Sequence, residues 1–186
     1  MNKIKVVSRL LRVGFQLCFF VVPVLLFFYW LNAPKPLEML SHLIVVNMLP
    51  DPHYVPANFP VINYLSPTTK ILGFIFSFIP AGFVLVICHY LVKLFRAFEN
   101  NEIFTISNVK FVRNISYLLL ASQLIGQPIY QALLTVALTW NNHPKMIMIS
   151  FNQSNIGILV VSLLIILIAW IMTEGYKLRE DQALTI

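Results

Sequence analysis

Four long runs of apolar residues are separated by shorter stretches that hold most of the charged residues. The runs cover residues 13–31, 71–91, 115–140 and 156–173. Each is near or above the roughly 18–20 residues that an α-helix needs to cross about 30 Å of hydrocarbon. Because a bilayer offers no water to the backbone, a segment at that depth must satisfy its own hydrogen bonds. The pattern predicts an all-α integral membrane protein with four transmembrane helices.

The stretches between the runs divide this single four-helix membrane domain, residues 1–186, into loops. Residues 32–70 form an outer loop whose seven prolines exclude a long helix. Residues 92–114 form an inner corner, and residues 174–186 a tail that begins where Gly175 can interrupt the fourth helix. Apolar and partly alternating residues at 37–49 and 145–153 predict a small β element in the outer loops.

The composition agrees with a membrane protein. The chain is 59% apolar and only 11% charged, whereas an average soluble domain is roughly 25% charged. The first apolar run follows four basic residues, as a secretory signal would, but it is longer than the ~7–15 residues of a signal core. We therefore expect an uncleaved first transmembrane helix.

The distribution of Lys and Arg predicts the orientation, since short loops rich in these residues stay in the cytoplasm. With both termini inside, three basic residues lie outside, Lys35, Lys70 and Lys145. The other ten lie inside: Lys3, Lys5, Arg9, Arg12, Lys93, Arg96, Lys110, Arg113, Lys177 and Arg179. The net charge of +6 is thus mainly a topology signal, with attraction to anionic lipid as a secondary interpretation, and it does not indicate direct nucleic-acid binding.

Residues that carry chemistry are sparse. The four runs contain no Asp, Glu, Lys or Arg, although ion-coupled transporters usually need an ionisable group at depth. The histidines and carboxylates of the outer loops form no recognised metal spacing, and Cys18 and Cys88 are most simply small apolar fillers. We expect a protein that is not an enzyme and that has no cofactor, no metal and no catalytic residues.

A polar stripe marks the third run. Gln123, Gln127 and Gln131 recur every four residues, and Thr135 continues the series. This spacing places them on one helical face, either as the lining of a pathway or as hydrogen bonds between helices. Pro128 lies within the stripe and predicts a kink. In the second run Gly73, Ser77 and Ala81 form a strip of small residues on which another helix can pack.

The inner corner contains a helix stop followed by a helix start. Asn100 and Asn101 tolerate the left-handed conformation at which helices end. Thr105 can cap the next helix, with Phe104 stapled onto Val109. Ion pairs are expected from Glu99 and Glu102 to Lys110 and Arg113.

Two motifs carry a family resemblance, one at the corner and one at the end of the chain. The first is LF-x-x-F followed by IFT-x-x-NV-x-x-x-R-x-I, and the second is KL-x-E-x-x-x-LTI. Their residues are Leu94, Phe95, Phe98, Ile103, Phe104, Thr105, Asn108, Val109, Arg113, Ile115, Lys177, Leu178, Glu180, Leu184, Thr185 and Ile186. With them the chain resembles the bacterial membrane family called domain of unknown function 2975. The family commonly has glycine where this chain has Asn101.

The resemblance implies a multi-pass protein of the bacterial cytoplasmic (inner) membrane, with no established activity, whose gene often neighbours that of a small helix-turn-helix regulator. Our hypothesis is a non-enzymatic protein that senses or relays a condition to such a cytoplasmic DNA-binding regulator. The alternative is a small transporter or efflux component, and a homo-oligomer is left open. The candidate interaction residues are Phe95, Phe98, Phe104, Thr105, Asn108, Arg113, Leu184, Thr185 and Ile186.

Overall fold

The computed structural model describes residues 2–32, 66–100, 102, 105–139, 147, 149 and 153–184, and in these residues all regular structure is helical. Helix α1 is Asn2–Asn32 and α2 is Pro67–Glu99. Helix α3, Ile106–Ala121, continues through a π-helical turn at Ser122–Gly126 into α4, Gln127–Thr139. Helix α5 is Gln153–Leu184. The predicted runs at 13–31, 71–91 and 156–173 each lie inside one of these helices.

Among the described residues, three segments are long and apolar enough to cross a membrane, namely Lys3–Asn32, Pro67–Glu99 and Asn155–Leu178. Helices α1 and α5 expose many large apolar side chains, and Leu10, Phe20 and Ile171 are 73%, 75% and 63% exposed. A soluble monomer rarely shows apolar patches larger than a few hundred Å², whereas lipid chains cover such a surface without cost. The chain is an all-α, multi-pass membrane protein.

The third predicted run, expected as a helix kinked at Pro128, contains a π-helical turn at Ser122–Gly126. The π-helical turn divides it, and Pro128 gives the physical reason. Proline has no N–H and its ring clashes with the carbonyl four residues earlier, here that of Leu124. Widening the preceding turn to π geometry relieves both problems without ending the helix. The kink expected at Pro128 therefore takes the form of a π turn just before it.

The expected interruption of the last helix at Gly175 needs correction, whereas the expected β element in the outer loops stays open. Helix α5 continues through Gly175 to Leu184, so the prediction that Gly175 interrupts it was wrong; one glycine costs a helix only about 1 kcal/mol. The predicted β element lies almost wholly outside the described residues. Of its members the structure describes Ile147 and Ile149, and neither lies in a strand.

The beginning of α2 follows directly from its sequence. Ser66 accepts a hydrogen bond from the Thr69 amide at 3.1 Å and shares a hydrogen bond with the Thr69 hydroxyl at 2.8 Å. Pro67 occupies the first helical position, where a missing N–H costs nothing. Ser66 is thus the N-cap of α2.

The contacts within the chain define two compact units. Unit 1 consists of Met1–Phe20, Val84–Ala121 and Ile158–Ile186, and unit 2 consists of Val21–Phe83 and Ser122–Gly157. The predicted corner belongs to unit 1, and the polar stripe belongs to unit 2.

Candidate functional site

The corner in unit 1 is held by backbone and side-chain hydrogen bonds. At the end of α2 the Glu102 amide donates to the Ala97 carbonyl at 3.0 Å, a six-to-one bond of the kind found in Schellman endings. Thr105 then begins α3, because its hydroxyl accepts from the Asn108 amide at 3.4 Å and its carbonyl accepts from the Val109 amide at 3.2 Å. The predicted cap at Thr105 is confirmed.

Asn108 links the end of α2 to the start of α3. Its side chain is fully buried, and its Nδ2 donates a hydrogen bond to the Glu102 carbonyl. The same residue therefore satisfies a backbone acceptor of the preceding connection while its own amide is capped by Thr105. The motif asparagine, predicted as an interaction residue, is placed inside the corner, where it maintains the geometry of the turn.

The aromatic residues of the corner form a contact between α1 and α2. Phe95 stacks on Phe15 with ring centroids 5.8 Å apart and planes within 8°, and Phe98 meets Phe95 edge-on at 6.0 Å. Both Phe95 and Phe98 are half-buried. The sequence indicated the aromatic residues of α2 but gave no sign of Phe15 as their partner, because one more phenylalanine in a lipid-facing helix is unremarkable.

An ion pair reinforces the same contact. Arg12 Nε lies 3.1 Å from Glu99 Oε1, and both side chains are largely buried, with exposed fractions of 23% and 14%. The sequence predicted Lys110 and Arg113 as the partners of Glu99, and the structure corrects this. Arg12 is 87 residues away in sequence but adjacent in unit 1, because α1 and α2 run antiparallel there. Removing either charge would leave the other buried and unpaired, which is costly.

The other corner candidates are only partly described. Arg113 is half-buried on α3, and its carbonyl accepts a hydrogen bond from the Ser116 hydroxyl at 2.7 Å. Asn101, Phe104, Thr185 and Ile186 lie outside the described residues, as does the side chain of Leu184. The predicted left-handed turn at Asn101, the staple from Phe104 to Val109 and the contact of the corner with the Leu-Thr-Ile end therefore stay predictions.

A second aromatic group lies beside the corner. His89 is exposed and meets Tyr90 edge-on at 5.9 Å, while the Tyr90 ring lies 6.1 Å from Phe111 of α3. The Lys93 ammonium is 6.0 Å from the centroid of Tyr90, at the limit of a cation–π contact. This arrangement is typical of the belt of aromatic and basic residues at a membrane surface.

The polar stripe is buried throughout. Gln123, Gln127, Gln131 and Thr135 are 6%, 5%, 4% and 4% exposed, and the Thr135 hydroxyl donates to the Gln131 carbonyl at 2.9 Å. Amides buried among helices are the arrangement expected of interhelical hydrogen bonds. The burial of all four side chains favours that interpretation over a lining exposed to solvent.

A buried polar cluster in unit 2 was not predicted. Trp30 Nε1 donates to Ser77 Oγ at 3.0 Å, and Ser77 Oγ donates to the Gly73 carbonyl at 2.7 Å. The Tyr130 hydroxyl lies 3.4 Å from Ser77 Oγ and completes the group as a second donor, since a serine oxygen can accept two hydrogen bonds. Trp30 and Tyr130 are 3% and 0% exposed, so this cluster joins α1, α2 and α4.

The predicted strip of small residues on α2 is the surface on which Trp30 packs. Gly73, Ser77 and Ala81 are all buried, and a Cβ at Gly73 would lie no more than 2.5 Å from three atoms of the Trp30 indole. Gly126 has the same role in the π-helical turn, where a Cβ would lie 2.7 Å from Cε2 of Phe83. Small residues at these positions are required for close approach.

The two cysteines contact each other in unit 1. Both are free thiols; Cys88 is buried and lies close enough to Cys18 for a side-chain hydrogen bond. Among the described residues no group of three His, Cys, Asp or Glu side chains could hold a metal ion. His42, His53 and His143 lie outside those residues. The interpretation of the two cysteines as small apolar fillers stays a prediction.

Comparison with known proteins places the chain in one family. Residues 47–186 match the model of a family described as "Protein of unknown function (DUF2975)". The match contains the corner, the polar stripe and helices α2 to α5, and it extends well beyond the part of the chain that carries the two motifs. Neither a search among curated proteins nor a search among solved structures found a match.

Proposed function

Because the chain belongs to the DUF2975 family, whose function is unknown, we propose its role from its own residues. It is a non-enzymatic protein of the bacterial cytoplasmic membrane, with four crossings and both termini inside, that relays a condition in the membrane to a cytoplasmic DNA-binding regulator. The observation that carries this proposal is the corner, where motif residues build a fixed turn between α2 and α3.

Four crossings require that the helical stretch 106–139 act as one span. Its regular parts, α3 and α4, have 16 and 13 residues, and each alone is shorter than the ~20 residues of a crossing. The π-helical turn keeps the backbone helical between them, so that the stretch together is long enough. The surplus of Lys and Arg in the predicted inner segments supports the orientation.

The relay is supported by the way the corner is connected. Asn108 fixes the corner to α3, and the Phe15–Phe95 stack and the Arg12–Glu99 ion pair fix the end of α2 to α1. A displacement of α1 or α2 in the bilayer would therefore move the corner as a unit. A cytoplasmic partner that binds the corner could read such a displacement.

The test uses a small helix-turn-helix regulator of the kind that the family resemblance implies is encoded beside this gene. We expect it to copurify with the full-length protein in mild detergent, and we expect deletion of the membrane protein to change expression from a promoter that the regulator controls. The variant Arg113→Gln should reduce capture several-fold, because the residue belongs to the corner motif. The matched control is Lys110→Gln, an exposed position on the same helix with the same loss of charge. If the regulator does not copurify and the promoter is unchanged, the relay is wrong.

A transporter is the second candidate. The burial of the stripe favours interhelical hydrogen bonds, but the stripe also runs through a π-helical turn, and such turns are frequent at functional sites. Replacing Gln123, Gln127 and Gln131 together with leucine separates the two functions. If the amides join helices, the triple variant loses roughly 2 kcal/mol of stability, at about 0.6 kcal/mol for each contact, which scanning calorimetry in detergent detects. A control with Ile125→Leu and Ile129→Leu, at exposed positions, should melt like the wild type. An unchanged melting temperature with lost flux would instead support a lining.

A further inference from the structure

A groove on the surface of α1 combines two cations with an apolar floor. It has a volume of about 580 Å³ and is lined by Lys5, Val6, Val7, Arg9, Leu10 and Val13. Its size falls within the roughly 300–1,000 Å³ of pockets that bind small molecules. The lining is mostly apolar, and the two basic residues lie along one side of it.

The helical register explains this division. Lys5 and Arg9 are four residues apart and form one short stripe. Val6, Leu10 and Val13, with spacings of four and three residues, form a second stripe directly beside it. A ligand that follows the helix axis would therefore contact cations along one edge and apolar side chains along the other.

The two cations of the groove are available, whereas the next one along the helix is not. Arg12 is engaged by Glu99 at 3.1 Å, and Glu174 is engaged by Lys177 at 2.9 Å. In the part of the chain that the structure describes, no ion pair joins a carboxylate to Lys5 or Arg9. Neither Lys5 nor Arg9 is thus paired with a carboxylate of the described residues.

The apolar stripe is exposed. Val6, Leu10 and Val13 are 67%, 73% and 45% exposed, although they lie on the first candidate span of a membrane protein. An occupant must have an anionic head and a hydrocarbon chain, because only such a molecule satisfies both stripes at once. A free anion would leave the apolar stripe uncovered.

We propose that this groove, here called the α1 groove, binds one anionic glycerophospholipid, with its phosphate between Lys5 and Arg9 and an acyl chain along Val6, Leu10 and Val13. The site is independent of the relay proposed above, because it uses neither the corner motif nor the regulator. It makes the N-terminal part of α1, which contacts the corner through Phe15, responsive to the lipid composition of the membrane.

The experiment measures lipid retention by native mass spectrometry of the full-length protein in detergent, titrated with dioleoyl phosphatidylglycerol or dioleoyl phosphatidylcholine. We expect one phosphatidylglycerol to bind at least tenfold more tightly than phosphatidylcholine. The double variant Lys5→Gln with Arg9→Gln should lose roughly 30-fold, because each basic residue contributes about fivefold at a lipid surface. Leu10→Ser should also weaken binding, whereas inorganic phosphate should not compete.

The matched control is Lys110→Gln with Lys177→Gln, which removes the same charge from exposed positions outside the α1 groove. Unchanged affinity in the control supports the site. Equal losses in both double variants, equal binding of the two lipids, or full competition by inorganic phosphate would each overturn it. If the double variant does not fold, the comparison of the two lipids on the wild type decides alone. Whatever the result of the lipid titration, Lys110→Gln should leave regulator capture unchanged, so the lipid test and the relay test can fail independently.

Discussion

Gly73→Ala is expected to lower the melting temperature of the protein in mild detergent more than any other exchange of glycine for alanine in the described residues. The added methyl would overlap the Trp30 indole, and the ring is confined because it is 3% exposed and bonded to Ser77. Overpacking of this kind costs about 1–3 kcal/mol. Loss of the Trp30–Ser77 hydrogen bond adds about 1 kcal/mol. Differential scanning calorimetry measures the combined loss of stability as a lower melting temperature.

Gly82 supplies the control on the same helix. A Cβ at Gly82 meets no heavy atom within 4 Å, and alanine is up to about 1 kcal/mol more favourable than glycine in a helix. Gly82→Ala should therefore melt at or above the wild-type temperature. Replacing Trp30 with leucine in the Gly73→Ala background should recover part of the loss, because the two changes are coupled through one contact. Equal melting of Gly73→Ala and Gly82→Ala would show that Trp30 does not pack on Gly73.

Asn108→Ala is expected to have the second-largest effect, through the corner. The change removes the donor that satisfies the Glu102 carbonyl, in a side chain that is fully buried. A buried acceptor left without its partner costs about 1–3 kcal/mol. Hydrogen exchange should accelerate at the amides of Glu102 and Val109, whose bonds to Ala97 and Thr105 define the turn. We also expect Asn108→Ala to reduce regulator capture, because the same loosening alters the corner.

Asn108→Asp tests whether the donor or the volume matters. Aspartate keeps the shape but replaces the amide donor with an acceptor, so it should destabilise the corner at least as much as alanine does. Asn114→Ala, at a half-buried position on the same helix, should leave exchange at the corner unchanged. If Asn108→Asp were as stable as the wild type, the hydrogen bond to Glu102 would contribute nothing to the stability of the corner.

The sequence was sufficient for the long apolar helices and for the cap at Thr105. Long apolar runs predict spans because hydrocarbon imposes a length, and the cap depends on a local hydrogen bond that neighbouring residues indicate. The cap at Ser66 was not predicted, although it depends on the same kind of local hydrogen bond. The small residues Gly73, Ser77 and Ala81 were also identified as a packing surface. Residues spaced four apart lie on one face of an α-helix, independently of the rest of the chain.

The partners of these residues could not be predicted. Lipid and protein interior are equally apolar, so hydrophobicity does not tell which face of α1 is buried. Phe15, Trp30 and Arg12 therefore looked like any other residues of a first helix, yet they contact Phe95, Ser77 and Glu99. The two residues of each pair are 47 residues or more apart in the sequence, and only the fold brings them into contact. At Pro128 the sequence predicted a kink, but it did not predict that the kink takes the form of a π-helical turn.

Counting the crossings tests the account most directly. We propose reporter fusions after Asn101, Asn142 and Ile186, each made with alkaline phosphatase, active outside the cytoplasm, and with green fluorescent protein, fluorescent inside. Four crossings with an inner N-terminus predict fluorescence at Asn101, phosphatase activity at Asn142 and fluorescence at Ile186. If the stretch 106–139 does not cross, the fusion at Asn142 will fluoresce and the fusion at Ile186 will show phosphatase activity. Phosphatase activity of the fusion at Asn101 would place the corner outside the cytoplasm and contradict the relay altogether.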